Sequence, residues 1–330
     1  MKKEYNFATH EDFSRNLVFI DGLTRAGKSI LSRLITSFEH MEHIQFFNII
    51  EYVIPAIKFK GLSEEYARSL LRLTLNELYY NLQLSRNVNF RPFDQTGIEN
   101  YRDPNLYRQR LASKEGDSIF NDLLERDIFV PFQTHELMTD LDIIERLDLD
   151  YRFVEIYRNP FDVIHSWIRR GWGDRFFGTD SHPKGDLSSF TLSLSNEDIF
   201  IPWYCADYDI GQFMKLNENE RASIMVRDLI IKSIDKQKKS KEPERILTLS
   251  FEALLQNTDQ ELQKISNFLD LSLDKKSAKS FLEAEGLPKI YSSQDHEKKK
   301  NEIQKSINQE IFNDIENLES TYKDNLYGLI

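Results

Sequence analysis

The chain has 330 residues, 40% hydrophobic and 29% charged, so it can bury a sizeable core and has the balance of an ordinary globular protein. A formal net charge of −11 excludes the overall basic surface of a general nucleic-acid binder, and any anionic ligand must be held by a local cluster of cations and backbone amides. The single cysteine, Cys205, excludes an intrachain disulfide, and no stretch approaches the roughly 20 apolar residues that span a bilayer.

In chain order, the opening MKKEYNFATHEDFSRN holds no apolar run of signal-peptide type, and a cytoplasmic protein is expected. Residues 17–21 (LVFID) predict a short, fully buried strand of the kind found in parallel sheets. The helix that follows the next turn places Ile30, Leu31, Leu34, Ile35 and Phe38 on one face. Residues 63–84 predict a long helix, and 86–116, with Pro92, Gly97 and Pro104, a loop-rich stretch. A second strand is expected at 128–133, where Pro131 demands a sheet edge or an early end. A third strand at 152–157 runs into a helix from Pro160. Residues 171–204 predict an irregular insertion over a site, and 232–244 a solvated charged segment. A fourth strand at 245–250 precedes a helix to about 269. The charged tail beyond 296 predicts a surface helix with Ile303, Ile307, Ile311, Ile315 and Leu318 at helical spacing. Strands alternating with helices imply one α/β domain over 1–330, a three-layer arrangement of a parallel sheet flanked by helices, with helical and loop insertions.

Gly22 through Ser29 fit G-x-x-x-x-G-K-S between a strand and a helix. Glycines let the backbone curl so that amides point at an anion, the helix N-terminus adds partial positive charge, and Lys28 reaches a terminal oxygen. Nucleoside triphosphate chemistry with Mg²⁺ usually needs a further carboxylate at the end of another apolar strand. Here the strand at 128–133 runs into Gln133-Thr134-His135, the strand at 152–157 ends at Arg158, and Glu155 lies inside its strand. No metal-ligand cluster is visible in the sequence. Arg25 puts a guanidinium within the loop itself, close to any bound group.

In YRNPFDVIHSW (157–167), Asn159 caps a helix, Pro160 suits its first position and Asp162 follows in the first turn. Capping leaves Arg158 and Ser166 unexplained. Arg158 stands at a strand's carboxyl end, where open α/β sheets bind ligands, and Ser166 lies one turn beyond Asp162. At these residues the chain resembles the sulfotransferases that use 3′-phosphoadenosine 5′-phosphosulfate (PAPS), a family with a P-loop NTPase-like fold. Arg25-Ala26-Gly27-Lys28-Ser29 is similar to their 5′-phosphosulfate loop, with Lys28 where Thr is usual. Arg158, Asn159, Pro160, Asp162, Val163 and Ser166 match their 3′-phosphate motif at every spacing. The stretch Arg245–Leu273 and the final NLYGLI resemble the family's last strand and helices. PFQTHELM (131–138) resembles the strand end that carries the catalytic histidine of cytosolic members, with Gln133 where Lys is common.

The resemblance implies an in-line transfer of a sulfuryl group from PAPS to a hydroxyl acceptor, leaving adenosine 3′,5′-bisphosphate (PAP) and needing no metal. It implies His135 as base, with Arg25 and Lys28 stabilising the departing phosphate. Gly22, Thr24, Arg25, Ala26, Gly27, Lys28 and Ser29 are then the 5′ side of the donor site, and Arg158 and Ser166 the 3′ side. Residues of about 50–127 and 171–240 would form the acceptor side, and the polar, aromatic insertion suits a carbohydrate or other polar small molecule. No nucleic-acid or membrane partner is expected. The complete Lys28-Ser29 pattern keeps open a P-loop kinase using MgATP, and a noncatalytic nucleotide-binding protein is a further alternative. Trp167, Trp172 and Trp203 are expected in the core, His165 in a structural role, and His182 and His296 in exposed loops. The lysines at 298–300 read as a solvated face from which one could reach the 3′-phosphate.

Overall fold

The computed structural model describes residues 7, 12–94, 96–177, 192–196 and 199–324. Four parallel strands form the central sheet: β1 (Leu17–Asp21), β2 (Val130–Gln133), β3 (Tyr151–Tyr157) and β6 (Ile246–Ser250), in spatial order β2-β1-β3-β6. The predicted strands are therefore all present, and β2 lies at the edge as Pro131 requires. A separate antiparallel hairpin, β4 (Ser193–Asn196) with β5 (Ile199–Pro202), stands within the expected irregular insertion. The helices used below are α1 (Lys28–Ile35), α2 (Asn48–Lys58), α3 (Glu64–Gln83), α4 (Pro160–Ile168), α5 (Glu218–Lys238), α6 (Phe251–Gln256), α7 (Ser293–Gln304) and α8 (Gln309–Tyr322).

Both sheet faces are buried, which is why the strands read as apolar runs rather than as alternating ones. Leu17, Phe19, Phe132 and Phe153 point to the face covered by α2 and α3. Val18, Ile20, Val154 and Ile156 pack on the other face against Leu31, Leu34 and Phe251. A third cluster joins α4 and α5 to α7 and α8 through Phe161, Trp167, Met225, Ile303 and Ile315. No helix among the described residues is long and apolar enough to cross a membrane.

Two expectations change here. The tail is not a surface helix: it forms α7 and α8, and Ile303, Ile307, Ile311, Ile315 and Leu318 are all buried. Residues 232–238 are not a free charged segment but the last turns of α5, a helix started by a capping box of Asn217 and Glu220. The closing NLYGLI and the larger part of the 171–204 insertion, with His182, lie outside the described residues.

Candidate active site

The site begins where β1 stops. The chain turns at Gly22, with φ of 136°, and enters α1 through Gly27, with φ of 111°. A Cβ at Gly22 would lie 2.4 Å from the Ile156 carbonyl oxygen, and one at Gly27 would lie 2.1 Å from the Phe251 ring. Glycine is therefore required at both positions by backbone angle and by space. Gly27 caps α1 without a side-chain acceptor, and among the described residues no hydrogen bond takes the Lys28 or Ser29 amide, which leaves these two open to an anion. Between the glycines Arg25 holds φ of 83°, a region that a residue with a side chain enters only under constraint.

Lys28 is buried and its ammonium donates to the Gly22 carbonyl, so it sits inside the loop. Behind it Asp21 and Glu155 lie side by side in register on β1 and β3, both fully buried. Asp21 accepts from Thr134 Oγ1 and from the Met138 amide, each at 2.9 Å. Burial, and then the Asp21 charge, push the Glu155 carboxyl well above its ordinary pKa. Burial raises the Asp21 pKa as well, against the opposing pull of the Lys28 charge.

The second part of the site comes from the end of β3. Asn159 accepts from the Phe161 amide at 3.0 Å and starts α4, with Pro160 in its first turn, as the sequence implied. Arg158 Nη1 donates to the Arg25 carbonyl at 3.2 Å, and its guanidinium lies 4.7 Å from the Phe251 ring centre. Arg158 Nε is buried with no hydrogen-bond partner. Ser166 Oγ accepts from Arg25 Nε at 3.2 Å and from Arg170 Nη1 at 2.9 Å. Trp167 Nε1 donates to the Thr24 carbonyl at 2.9 Å, while Thr24 donates to Glu136 through its amide and hydroxyl at 2.8 and 2.9 Å.

The loop and the start of α4, separated by more than a hundred residues of chain, are therefore one unit. Three guanidiniums converge on it, and among the described residues none of the three forms an ion pair. Burial, followed by the Arg170 and Arg158 charges, lowers the Arg25 pKa. Guanidiniums without an ion pair among the described residues, around glycine-turned amides and with a buried donor left unpaired, are features that attract an anion. Arg170 was not singled out in the sequence; its signal was a position four residues after Ser166, on the same helical face.

Asp162, part of the same motif, forms no ion pair with these three arginines among the described residues. It accepts from Lys299 at 2.9 Å and from the Tyr291 hydroxyl, and lies 3.8 Å from His296 Nδ1. His296 is buried on α7 rather than exposed in a loop, and its Nε2 meets Glu319 at 2.8 Å. The two carboxylates raise its pKa to about 9. Lys299 also pairs with Asp295, and Lys300 with Glu316 and Glu319, so these lysines fasten α7 rather than form a solvated face. His165 meets Glu302 at 2.9 Å.

Beyond Thr24 and Trp167 opens a cavity of about 350 Å³ whose walls include His135, Glu51, Glu136, Trp172 and Trp203. His135, just past the carboxyl end of β2, places Nδ1 3.0 Å from Glu51 Oε1. Glu51 lies on α2, outside every motif. Trp167 and Trp172 are buried in the core as expected, Trp203 is half-buried, and all three also line this space.

The family profile described as the sulfotransferase domain matches residues 16–323. Among solved structures, the chain is similar to the sulfotransferase domain from the curacin biosynthetic pathway, with 13% identity, 80% of this chain and 76% of that chain covered, and a TM-score of 0.42. It is similar also to the sulfotransferase domain of the Synechococcus PCC 7002 olefin synthase, with 14% identity, 83% and 80% coverage, and a TM-score of 0.42. A third is mouse sulfotransferase SULT7A1 complexed with PAP, with 10% identity, 81% and 64% coverage, and a TM-score of 0.34. No curated protein matches the chain.

Proposed function

The chain belongs to the sulfotransferase family, and we propose that it moves the sulfuryl group of PAPS to a hydroxyl acceptor by in-line displacement. The observation that carries this reading is the convergence of Arg25, Arg158 and Arg170 on Ser166 and the loop, with Arg158 Nε buried and unpaired. One nucleotide with phosphate at both ends of its ribose satisfies both parts of that cluster. The loop amides from 25 to 29, the Ser29 hydroxyl, Gly22, Thr24, Ala26 and Gly27 form the 5′ cradle. Arg158, Ser166 and Arg170 take the 3′-phosphate.

The donor supplies an activated sulfur–oxygen bond; the chain supplies alignment, a proton acceptor and positive charge. With its Nδ1–H donating to the Glu51 carboxylate, His135 presents Nε2, which has no hydrogen-bond partner among the described residues, to take the acceptor's proton. The acceptor oxygen bonds to sulfur as the bond to the 5′-phosphate oxygen breaks. The charge left on that phosphate is met by Arg25 and Lys28. The acceptor, a carbohydrate or other polar small molecule, enters from the side built by residues of about 50–127 and 171–240, all within one domain. The reaction needs no metal, and a cytoplasmic site is expected.

Thermal unfolding with PAP, with MgATP and with neither tests this. PAP is expected to stabilise the protein without metal, by about 2.7 kcal/mol at a hundred times its dissociation constant. Stabilisation by MgATP alone would instead favour the small-molecule kinase suggested by Lys28-Ser29.

A further inference from the structure

We infer that the acceptor taken by this cavity carries an ammonium group beside the hydroxyl that is sulfated; this rests on the sulfuryl-transfer reading above. The cavity wall holds His135 together with two acids, Glu51, which meets its Nδ1, and Glu136, the next residue in the chain. Glu51 commits one oxygen to His135, and Glu136 commits one to Thr24. Among the described residues no hydrogen bond takes the second oxygen of either. The described wall contains no lysine or arginine, while Phe46, Tyr52, Trp172, Phe176 and Trp203 supply aromatic faces. Carboxylates and aromatic rings together are what an ammonium group is drawn to.

The chain already shows this chemistry at the cavity's edge. Asp140, a third acid in the wall, takes the Lys58 ammonium at 3.0 Å, and that ammonium lies 5.0 Å from the Trp203 ring centre. Asp140 is paired with that lysine, whereas among the described residues Glu51 pairs only with His135 and Glu136 forms no ion pair. The other side of the Thr24–Trp167 wall carries the three guanidiniums. An acceptor with a carboxylate would be pulled toward that side and would compete with the donor. An ammonium-bearing acceptor is instead held on the histidine side.

The test uses two matched sets of hydroxyl compounds: tyramine, 4-ethylphenol and 3-(4-hydroxyphenyl)propionate, and glucosamine, glucose and glucuronate. PAP release from PAPS is measured with the full chain. In whichever set is turned over, the amine is expected to exceed its neutral partner in kcat/KM by about five- to thirty-fold, the span of one cation–π or ion-pair contact, and the acid to be slowest. Glu51→Gln and Glu136→Gln should each narrow the amine-to-neutral ratio, a readout that cancels any general loss of rate. Equal rates across a set, preference for the acid, or no turnover of any amine while a neutral compound reacts would overturn the inference. PAP binding by the same preparation, read as a thermal shift, separates these outcomes from failure of the donor reading.

Discussion

Replacing Arg158 by glutamine separates a ligand-binding role from a structural one. In the free protein this guanidinium makes one hydrogen bond to the Arg25 carbonyl and lies over Phe251. Losing these contacts costs about 1–2 kcal/mol. The same substitution removes one of three like charges held together, a relief of opposite sign. The free protein's thermal midpoint should therefore move by no more than about 3 °C. Binding should behave differently, because PAP would lose a charged fork whose Nε is already out of water. Arg158 is half-buried, which places the cost near the lower end for truncated charge pairs, about 2–3 kcal/mol, or roughly thirty- to 150-fold in dissociation constant. Arg158→Lys should recover only part of this, since a lysine keeps the charge without the planar fork. Isothermal calorimetry with PAP measures both variants. An Arg158→Gln protein that binds PAP within about threefold of the parent, or one that unfolds far earlier while still binding, would refute the assignment of this residue to the phosphate.

His135→Ala should lower kcat by about 10²–10⁴-fold and leave PAP affinity unchanged, and Glu51→Gln should lower kcat by a smaller factor; steady-state kinetics beside calorimetry checks both. The Gly27→Ala protein should lose about 2–4 kcal/mol, because a side chain there meets both an unfavourable φ and the Phe251 ring, and the denaturant midpoint reports it. His296 has its pKa raised to about 9, so its contribution is complete below the ordinary value near 6.5 and disappears as pH rises through 9. Stability should accordingly fall between about pH 7 and 9.5 by up to about 3 kcal/mol, and His296→Gln should flatten that slope.

The strands were legible because each is a run buried on two sides, and the loop because its glycines, lysine and serine stand at fixed spacing. Arg158 and Ser166 could be picked out because helix capping explains Asn159 and Pro160 but not them. What stayed hidden depends on tertiary partners. The tail's isoleucines gave the right period, but its charge suggested solvent; Lys299, Lys300 and His296 are instead spent on Asp162, Glu316 and Glu319. Glu51 has no motif around it, and only the packing of α2 beside the end of β2 brings it to His135. The Asn217–Glu220 capping box was available in the sequence and would have shown the start of α5.

The side-chain ties from Trp167 to Thr24, from Arg25 to Ser166 and from Arg158 to the Arg25 carbonyl bear on more than placement. On the proposed reading, the two ends of the donor pocket share these side chains. A nucleotide with a single phosphate is then expected to bind more weakly than the missing contacts alone imply, and the pocket would gauge phosphate-to-phosphate span.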